Sequence, residues 1–146
     1  MLDKKYIMKK FEFVDITTAD VAFVAYGKDL NELFANSALA MFEVMISTKK
    51  VKPKVKKEVE VSGNDLQSLM FDWLNELLIY VDAENLAFSD FKVKVDGKNF
   101  KLRATCSGEK IDREKHETRT MVKAATYHKM KVEKNKIWKA QVIVDI

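Results

Sequence analysis

The chain has 146 residues, 47% of them hydrophobic and 33% charged, with one Cys and two His. We expect one globular domain over residues 1–146, and the lone Cys excludes an internal disulfide, zinc fingers and iron–sulfur ligand sets. No apolar run approaches the ~20 residues of a membrane-spanning helix. Residues 1–10 carry four Lys without an apolar leader, so we expect a cytoplasmic protein without a membrane partner.

The net charge of +4 is unevenly distributed along the chain. Residues 49–57 carry +6 and residues 97–146 carry +7, whereas residues 1–48 carry −2 and residues 58–96 carry −7. Such asymmetry suggests an acidic partner or a phosphate backbone for the basic parts. The lysine run at 49–57 fits a solvated loop, or a contact with phosphate or an acidic protein. It lacks the interleaved aromatics of single-strand readers.

The first elements are two strands and a helix. Residues 10–14 have the aromatic and β-branched content of a strand, and residues 21–26 are apolar throughout, as in a strand covered on both faces. A polar turn with two acids separates them. Asp29 and Glu32 have capping-box spacing, and an apolar stripe predicts a helix from there to about residue 45 that packs on a sheet.

The middle of the chain predicts a strand followed by a second helix. Residues 58–61 alternate in polarity, as a half-exposed strand does. Asn64 and Gln67 repeat the capping spacing, and a wide apolar face predicts a helix through about Val81.

The second half predicts strands. Residues 91–95 alternate, Asp96-Gly97 predicts a two-residue hairpin turn, and a strand over residues 100–107 places Cys106 in the core. After a charged, turn-rich stretch, we expect strands at residues 122–127, 129–133 and 137–144. The elements together predict a two-layer α+β domain with a mixed β-sheet and two amphipathic helices.

Common catalytic motifs are missing from the sequence. It contains no glycine-rich phosphate loop, no nucleophile elbow and no His pair at metal spacing. His116 and His128 fit surface or packing residues, because nothing places a nucleophile beside either. We therefore expect a protein that is not an enzyme.

Acidic residues mark the strand ends. Asp15 and Asp20 lie in the first turn, where Asp side chains commonly bond to turn backbone. Asp145 follows three apolar residues and adjoins the carboxyl group of Ile146. Carboxylates brought together repel one another unless a hard cation such as Ca²⁺ or Mg²⁺ lies between them. Spacing alone does not decide whether Asp20 and Asp145 meet, because they are 125 positions apart.

Several blocks of the sequence resemble the archease family. They follow the family's order over nearly the whole chain: FEFVD at 11–15, TADV at 18–21, AYGK at 25–28, ALAMFEVM at 38–45, DLQSL at 65–69, VKA at 122–124, TYH at 126–128 and VDI at 144–146. The resemblance implies the archease fold and an activator of the RtcB-type RNA ligase that seals tRNA halves. Such an activator promotes ligase guanylylation and multiple turnover without joining RNA itself, and it meets tRNA only through the ligase.

The resemblance also implies site residues. A divalent metal site, with calcium as the expected ion, would be formed by Asp20, Asp145 and Ile146. Asp15 and Lys123 would belong to the same functional surface. The family motif reads acid-His-Thr-Ala-Asp, whereas this chain has one more residue and no His between Asp15 and Asp20. The extra residue would turn Asp15 to the other face unless a bulge absorbs it.

Two other functions compete with this interpretation. The first is an RNA-binding or chaperone module that uses the basic regions and acts with a tRNA-modifying methyltransferase. The second, a metal-dependent hydrolase, is disfavoured because the sequence offers no general base with defined partners.

Overall fold

The computed structural model describes residues 9–146, which form eight strands and two helices. The first half contains β1 (Phe11–Val14), β2 (Val21–Gly27), α1 (Leu30–Met45), a 3-10 turn (Thr48–Lys50), β3 (Val55–Ser62) and α2 (Leu66–Glu84). The second half contains β4 (Leu86–Asp96), β5 (Lys101–Lys110), β6 (Ala124–Ala125), β7 (Lys131–Lys134) and β8 (Trp138–Asp145).

The strands form two sheets. One has five strands in the order β1-β2-β8-β6, with β7 also paired to β8, and the other has the order β3-β5-β4. The α+β class with two helices is confirmed, but each neighbouring pair within residues 9–146 is antiparallel, whereas the sequence predicted one mixed sheet. The reason lies in β5, which inserts between the mutually parallel β3 and β4 that α2 connects.

Both helices begin at an Asp cap. The side chain of Asp29 accepts from the backbone N–H of Glu32 at 2.9 Å, as predicted. The second cap differs from the predicted Asn64 and Gln67 pair, because Asp65 accepts from the N–H of Ser68 at 2.7 Å and Ser68 Oγ accepts from the N–H of Asp65 at 3.1 Å. This reciprocal pair moves the start of α2 one residue along the chain.

The apolar faces of the helices and both sheets share one core. Trp73 of α2 is fully buried, and its indole Nε1 donates to the carbonyl of Phe34 in α1 at 2.9 Å. Cys106 is also fully buried, as its strand position predicted. Burial, with smaller contributions from Glu58 and Asp90, raises the pKa of the Cys106 thiol to about 12. The thiol is therefore a packing group.

Some element limits differ from the predictions. Asp96 pairs with Lys101, so the β4–β5 loop has four residues rather than two, and Phe100 takes a left-handed conformation with φ 54°. The Asp96 carboxylate accepts from the N–H groups of Lys98 and Asn99 and thereby stabilises the wider loop. The strand predicted over residues 122–127 is reduced to β6.

The N-terminal prediction is only partly accessible to comparison. The sequence analysis expected no apolar leader in residues 1–10. Residues 1–8 of this segment lie outside the described residues. Among residues 9–146, neither helix has the length and apolar character needed to cross a bilayer.

Candidate functional site

Asp20 and Asp145 occupy neighbouring strand ends in the five-stranded sheet. β2 and β8 pair up to Val21 opposite Val144, and Asp20 and Asp145 are the next residues beyond that last pair. The fold thus brings Asp20 and Asp145 to the same end of two paired strands, which the spacing of 125 residues left undecided.

The apolar part of β8 fixes the position of Asp145. Val142 and Val144 are fully buried, so the strand is anchored in the core up to the residue before Asp145. Asp145 itself is partly exposed, as is Asp20. Both carboxylates therefore lie at the rim of the sheet, where solvent reaches them.

Lys123 lies on the other side of β8 from Asp20. Ala124 pairs with Asp145, and the backbone N–H of Lys123 donates to the Asp145 carbonyl at 2.8 Å. The Lys123 side chain is exposed, and Ile146 is 37% exposed beyond the end of β8. Four of the five predicted site residues, Asp20, Lys123, Asp145 and Ile146, therefore lie at the same end of β2, β8 and β6, which we call the acidic edge of the sheet.

Strand pairing does not hold Asp15 next to the other predicted site residues. Regular pairing of β1 with β2 ends at Val14 opposite Ala22, and Asp15 follows as an exposed residue. Within residues 9–146, no hydrogen bond or ion pair joins Asp15 to Asp20 or Asp145. The sequence did not indicate Lys129, whose Nζ donates to the carbonyl of Ile16 at 3.3 Å and so brings a cation to this turn.

The donor set at the sheet edge fits a hard cation. Asp20 and Asp145 offer only oxygen ligands, and neither forms an ion pair with a Lys or Arg of residues 9–146, so their charges are not neutralised there. Among these residues, no three His, Cys, Asp or Glu side chains are grouped for metal binding. Two Asp side chains would therefore need a further oxygen, and the carboxyl group of Ile146 is the neighbouring one.

The lysine run at residues 49–57 is partly engaged with the rest of the chain. The backbone N–H of Lys52 donates to Glu109 at 2.7 Å, and the Nζ of Lys57 pairs with Glu84 at 2.9 Å. The Nζ of Lys54 lies 3.9 Å from Glu109, but its side chain is 60% exposed. The segment is thus held by its backbone while most of its lysine side chains face solvent.

A second polar cluster escaped the sequence analysis. His116 is buried, in agreement with the packing alternative of the sequence analysis, and its Nε2 lies 2.9 Å from Oε2 of Glu109. The Nζ of Lys115 donates to Oε1 of the same carboxylate at 2.7 Å. Donation from Lys115, then from Lys52 N–H and His116, lowers the pKa of Glu109 to about 2. The strand spacing gave no signal, since period-two alternation places Glu109 on the same face of β5 as the exposed Lys101 and Arg103.

The TYH block at 126–128 places an aromatic residue on the surface. Tyr127 is 50% exposed, and its ring stacks on Phe71 of α2 with centroids 4.1 Å apart and planes 3° apart. Desolvation, followed by the charges of Asp72 and Asp65, raises the pKa of the Tyr127 hydroxyl. His128 is exposed, as expected.

Comparison with known proteins identifies relatives over most of the chain. The model of the Archease protein family (MTH1598/TM1083) matches residues 11–146. A protein named Protein archease from Sulfurisphaera tokodaii is 49% identical over 140 residues, which cover 95% of this chain and 100% of that protein. One of the same name from Methanothermobacter thermautotrophicus is 49% identical over 142 residues, with the same coverage.

A solved structure also matches. The solution structure of Methanobacterium thermoautotrophicum protein 1598 superimposes with a TM-score of 0.81 at 48% sequence identity. The match covers 95% of this chain and 100% of that one.

Proposed function

The chain belongs to the archease family, as its sequence blocks predicted, and we propose that it is a non-catalytic, cytoplasmic activator of an RtcB-type tRNA-splicing RNA ligase. The observation that supports this proposal is the pairing of β2 with β8 and of β6 with β8, which brings Asp20, Asp145 and Lys123 to the same end of these strands. An edge at which two carboxylates lie near the ammonium group of Lys123 is suited to a partner that binds phosphate groups and divalent ions.

The metal part of the proposal assigns Asp20, Asp145 and the carboxyl group of Ile146 as ligands. Their oxygen-only chemistry favours Ca²⁺ over softer ions. When bound, the ion supplies positive charge that phosphate oxygens recognise. Asp20 and Asp145 hold this charge at the end of two core strands, so their positions vary little as a partner approaches.

The activating step involves the ligase and its nucleotide. During guanylylation, a phosphoryl group is transferred and negative charge develops on its oxygens, which preorganised positive charge stabilises. Lys123, fixed at the backbone by its bond to Asp145, would orient its ammonium group toward those phosphates. The chain then meets tRNA only through the ligase.

The non-catalytic part of the proposal rests on the two histidines. His116 is buried against Glu109, and its Nδ1 accepts from the N–H of Asp112, so both ring nitrogens are engaged. His128 is exposed in a different loop. Neither supplies the paired nucleophile and base that hydrolytic or ligation chemistry needs.

Multiple-turnover ligation of tRNA halves tests this function. The cognate ligase is assayed with GTP and Mg²⁺, with and without this chain, and with its Asp145→Ala variant. We expect more than one turnover per ligase only with the intact chain. Stimulation that is equal for the intact chain and the variant would remove the acidic edge from the mechanism, and no stimulation would refute the activator function.

A second function draws support from the lysine run. The side chains of Lys49, Lys50 and Lys56 are exposed, and within residues 9–146 they form no ion pair. They favour an RNA-binding or chaperone module that acts with a tRNA-modifying methyltransferase. For this second function, the affinity for single-stranded RNA should fall with salt at a log–log slope of roughly −0.7 per neutralised phosphate. For the activator function, the affinity of the chain for RNA should be too low to account for its effect on ligation.

A further inference from the structure

The acidic segment noted in the sequence forms the second half of β3 and all of α2. Residues 58–84 contain seven Asp and Glu and no Lys or Arg. Some of these acids are satisfied internally, as in the pairs Glu84 with Lys57 and Glu60 with Arg103. Asp72 and Glu76 on α2 form no ion pair within residues 9–146, so their charges face solvent.

A groove lies beside these two acids. It is an open depression of about 330 Å³ between α2 and β3, and it is lined by Val61, Ser62, Asp72, Asn75, Glu76 and Ile79. Ile79 is 58% exposed, the largest exposed fraction among the large hydrophobic residues that the structure describes. The groove therefore combines two carboxylates that form no ion pair within residues 9–146 with two aliphatic side chains, Val61 and Ile79.

The outer edge of β3 borders the same groove. In the described part of the chain, β3 pairs only with β5, so its other edge has no strand partner. Free strand edges pair with extended segments from other proteins. An occupant that lies along β3 would place basic side chains against α2.

Asn75 connects the groove to the candidate metal edge. Its Oδ1 accepts from the N–H of Ala125 at 2.9 Å, and its Nδ2 donates to the Ala125 carbonyl at 3.2 Å. Ala125 adjoins Ala124, which pairs with Asp145. A short hydrogen-bonded path thus joins the wall of the groove to the strand pair that ends at Asp145.

We propose that the groove between α2 and β3 docks an extended, basic and partly aliphatic segment of the partner protein, which under the proposed function is the RNA ligase. Lys or Arg side chains of that segment pair with Asp72 and Glu76, while its aliphatic groups pack on Ile79. A ligase that holds a polyanionic RNA carries basic surface, so its charge complements this groove. The carboxylates also steer the encounter of the two proteins.

Direct binding to the purified cognate ligase tests the docking site. Titration calorimetry at low and moderate salt compares the intact chain with Asp72→Lys, Glu76→Lys and Ile79→Ser. Asp72 and Ile79 are exposed and Glu76 is partly exposed, so we expect the variants to keep the fold, which circular dichroism checks. We expect each charge reversal to weaken binding about tenfold and to reduce its salt dependence.

Asp82→Lys is the matched control, because Asp82 is an exposed acid of the same helix that does not line the groove. We expect this control to bind within about twofold of the intact chain, as rim charges far from a contact do. Equal weakening by Asp82→Lys and Asp72→Lys, or no weakening by either, would overturn the proposal. The proposal would also be overturned if sedimentation showed that the chain forms a dimer and that Asp72→Lys dissociates it. The occupant of the groove would then be a second copy of the chain.

Failure of the docking site and failure of the activator function give different results. Groove-dependent binding without stimulated turnover refutes activation and leaves docking in place. Stimulated turnover with the same half-maximal concentration for the intact chain and for Asp72→Lys refutes docking and leaves activation in place.

Discussion

The imidazole Nε2 of His116 lies 2.9 Å from Oε2 of Glu109, with both side chains buried. The Nδ1 of the same ring accepts from the backbone N–H of Asp112 at 2.9 Å, so the ring proton is on Nε2 and is donated to Glu109. Glu109 also accepts from the Lys52 N–H at 2.7 Å. One carboxylate on β5 thus holds both the lysine run and the loop after β5.

Glu109→Gln should destabilise the protein. The neutral amide loses the charge-assisted bonds from Lys115 and His116 and presents an N–H group to one of these donors. Hydrogen bonds to charged groups contribute about 1.5–3 kcal/mol each, and the half-exposed Lys115 contributes less than a buried donor. We expect the free energy of unfolding in urea to fall by about 2 kcal/mol.

The control for this substitution is Glu114→Gln, since Glu114 is exposed in the same loop. Its free energy of unfolding should stay within about 0.5 kcal/mol of the original chain, as is usual for surface positions. Similar losses for both variants would show that the loop responds to any charge removal and that Glu109 has no special part in stability.

The stability that Glu109 confers should depend on pH. Its pKa is lowered from 4.5 to about 2 in the folded protein. The unfolded state therefore binds more protons between these values, and stability rises with pH across this window. The contribution is complete above about pH 5 and is lost as pH falls toward 2. The stability difference between the intact chain and Glu109→Gln, measured by urea unfolding, should narrow from pH 5 to pH 2.5, and a constant difference would contradict this.

The Glu109 cluster also marks a limit of sequence reasoning. The sequence correctly assigned an exposed, charged character to most residues after β5, but no local pattern indicates that Glu109 turns inward to meet His116. The two residues are only seven positions apart, yet their contact depends on a loop that returns over β5. The burial of Glu109 and His116 together therefore depends on tertiary structure. The charged composition of this stretch predicted that it would be exposed to solvent.

The sheet edge was more accessible to sequence reasoning. A continuous apolar run predicted β2, a strand was also predicted over residues 137–144, and the position of Asp145 after three apolar residues predicted a carboxylate at the rim of the core. Their pairing could not follow from spacing, because strands 125 residues apart have many alternative neighbours. The mixed sheet was predicted for the same reason: strand–helix–strand order suggests parallel neighbours, and only the complete pairing places β5 between β3 and β4.

The Cys106 thiol should resist modification in the folded protein. The side chain is fully buried, and its pKa is raised to about 12, so almost no thiolate forms at pH 8. Alkylation by iodoacetamide requires the thiolate and access to it. We expect labelling of the native chain, followed by mass spectrometry, to be at least a hundredfold slower than labelling in guanidinium, by the magnitude of that shift. Stoichiometric labelling of the native chain within minutes would contradict the buried position.

Calcium binding should depend on Asp20 and Asp145 together. Each residue supplies a carboxylate from one of two paired strands, so Asp20→Asn or Asp145→Asn removes half of the side-chain charge at the edge. We expect each substitution to weaken calcium binding at least tenfold, measured by titration calorimetry after treatment with EGTA. Because a ligand at 100 times its Kd stabilises the folded state by about 2.7 kcal/mol, added calcium should also raise the Tm of the intact chain.

Asp15→Asn provides the matched control for calcium binding. Asp15 carries the same charge at the other end of the turn, but regular pairing stops at Val14 and its side chain is exposed. We expect the calcium affinity of the Asp15→Asn variant to stay within about threefold of that of the intact chain. Charges on solvent-exposed side chains interact only weakly with other charges. One Gly appended after Ile146 would move the carboxyl group away and should weaken binding as the Asp145 substitution does. If the appended residue has no effect while Asp145→Asn abolishes binding, the third oxygen comes from another group at this edge.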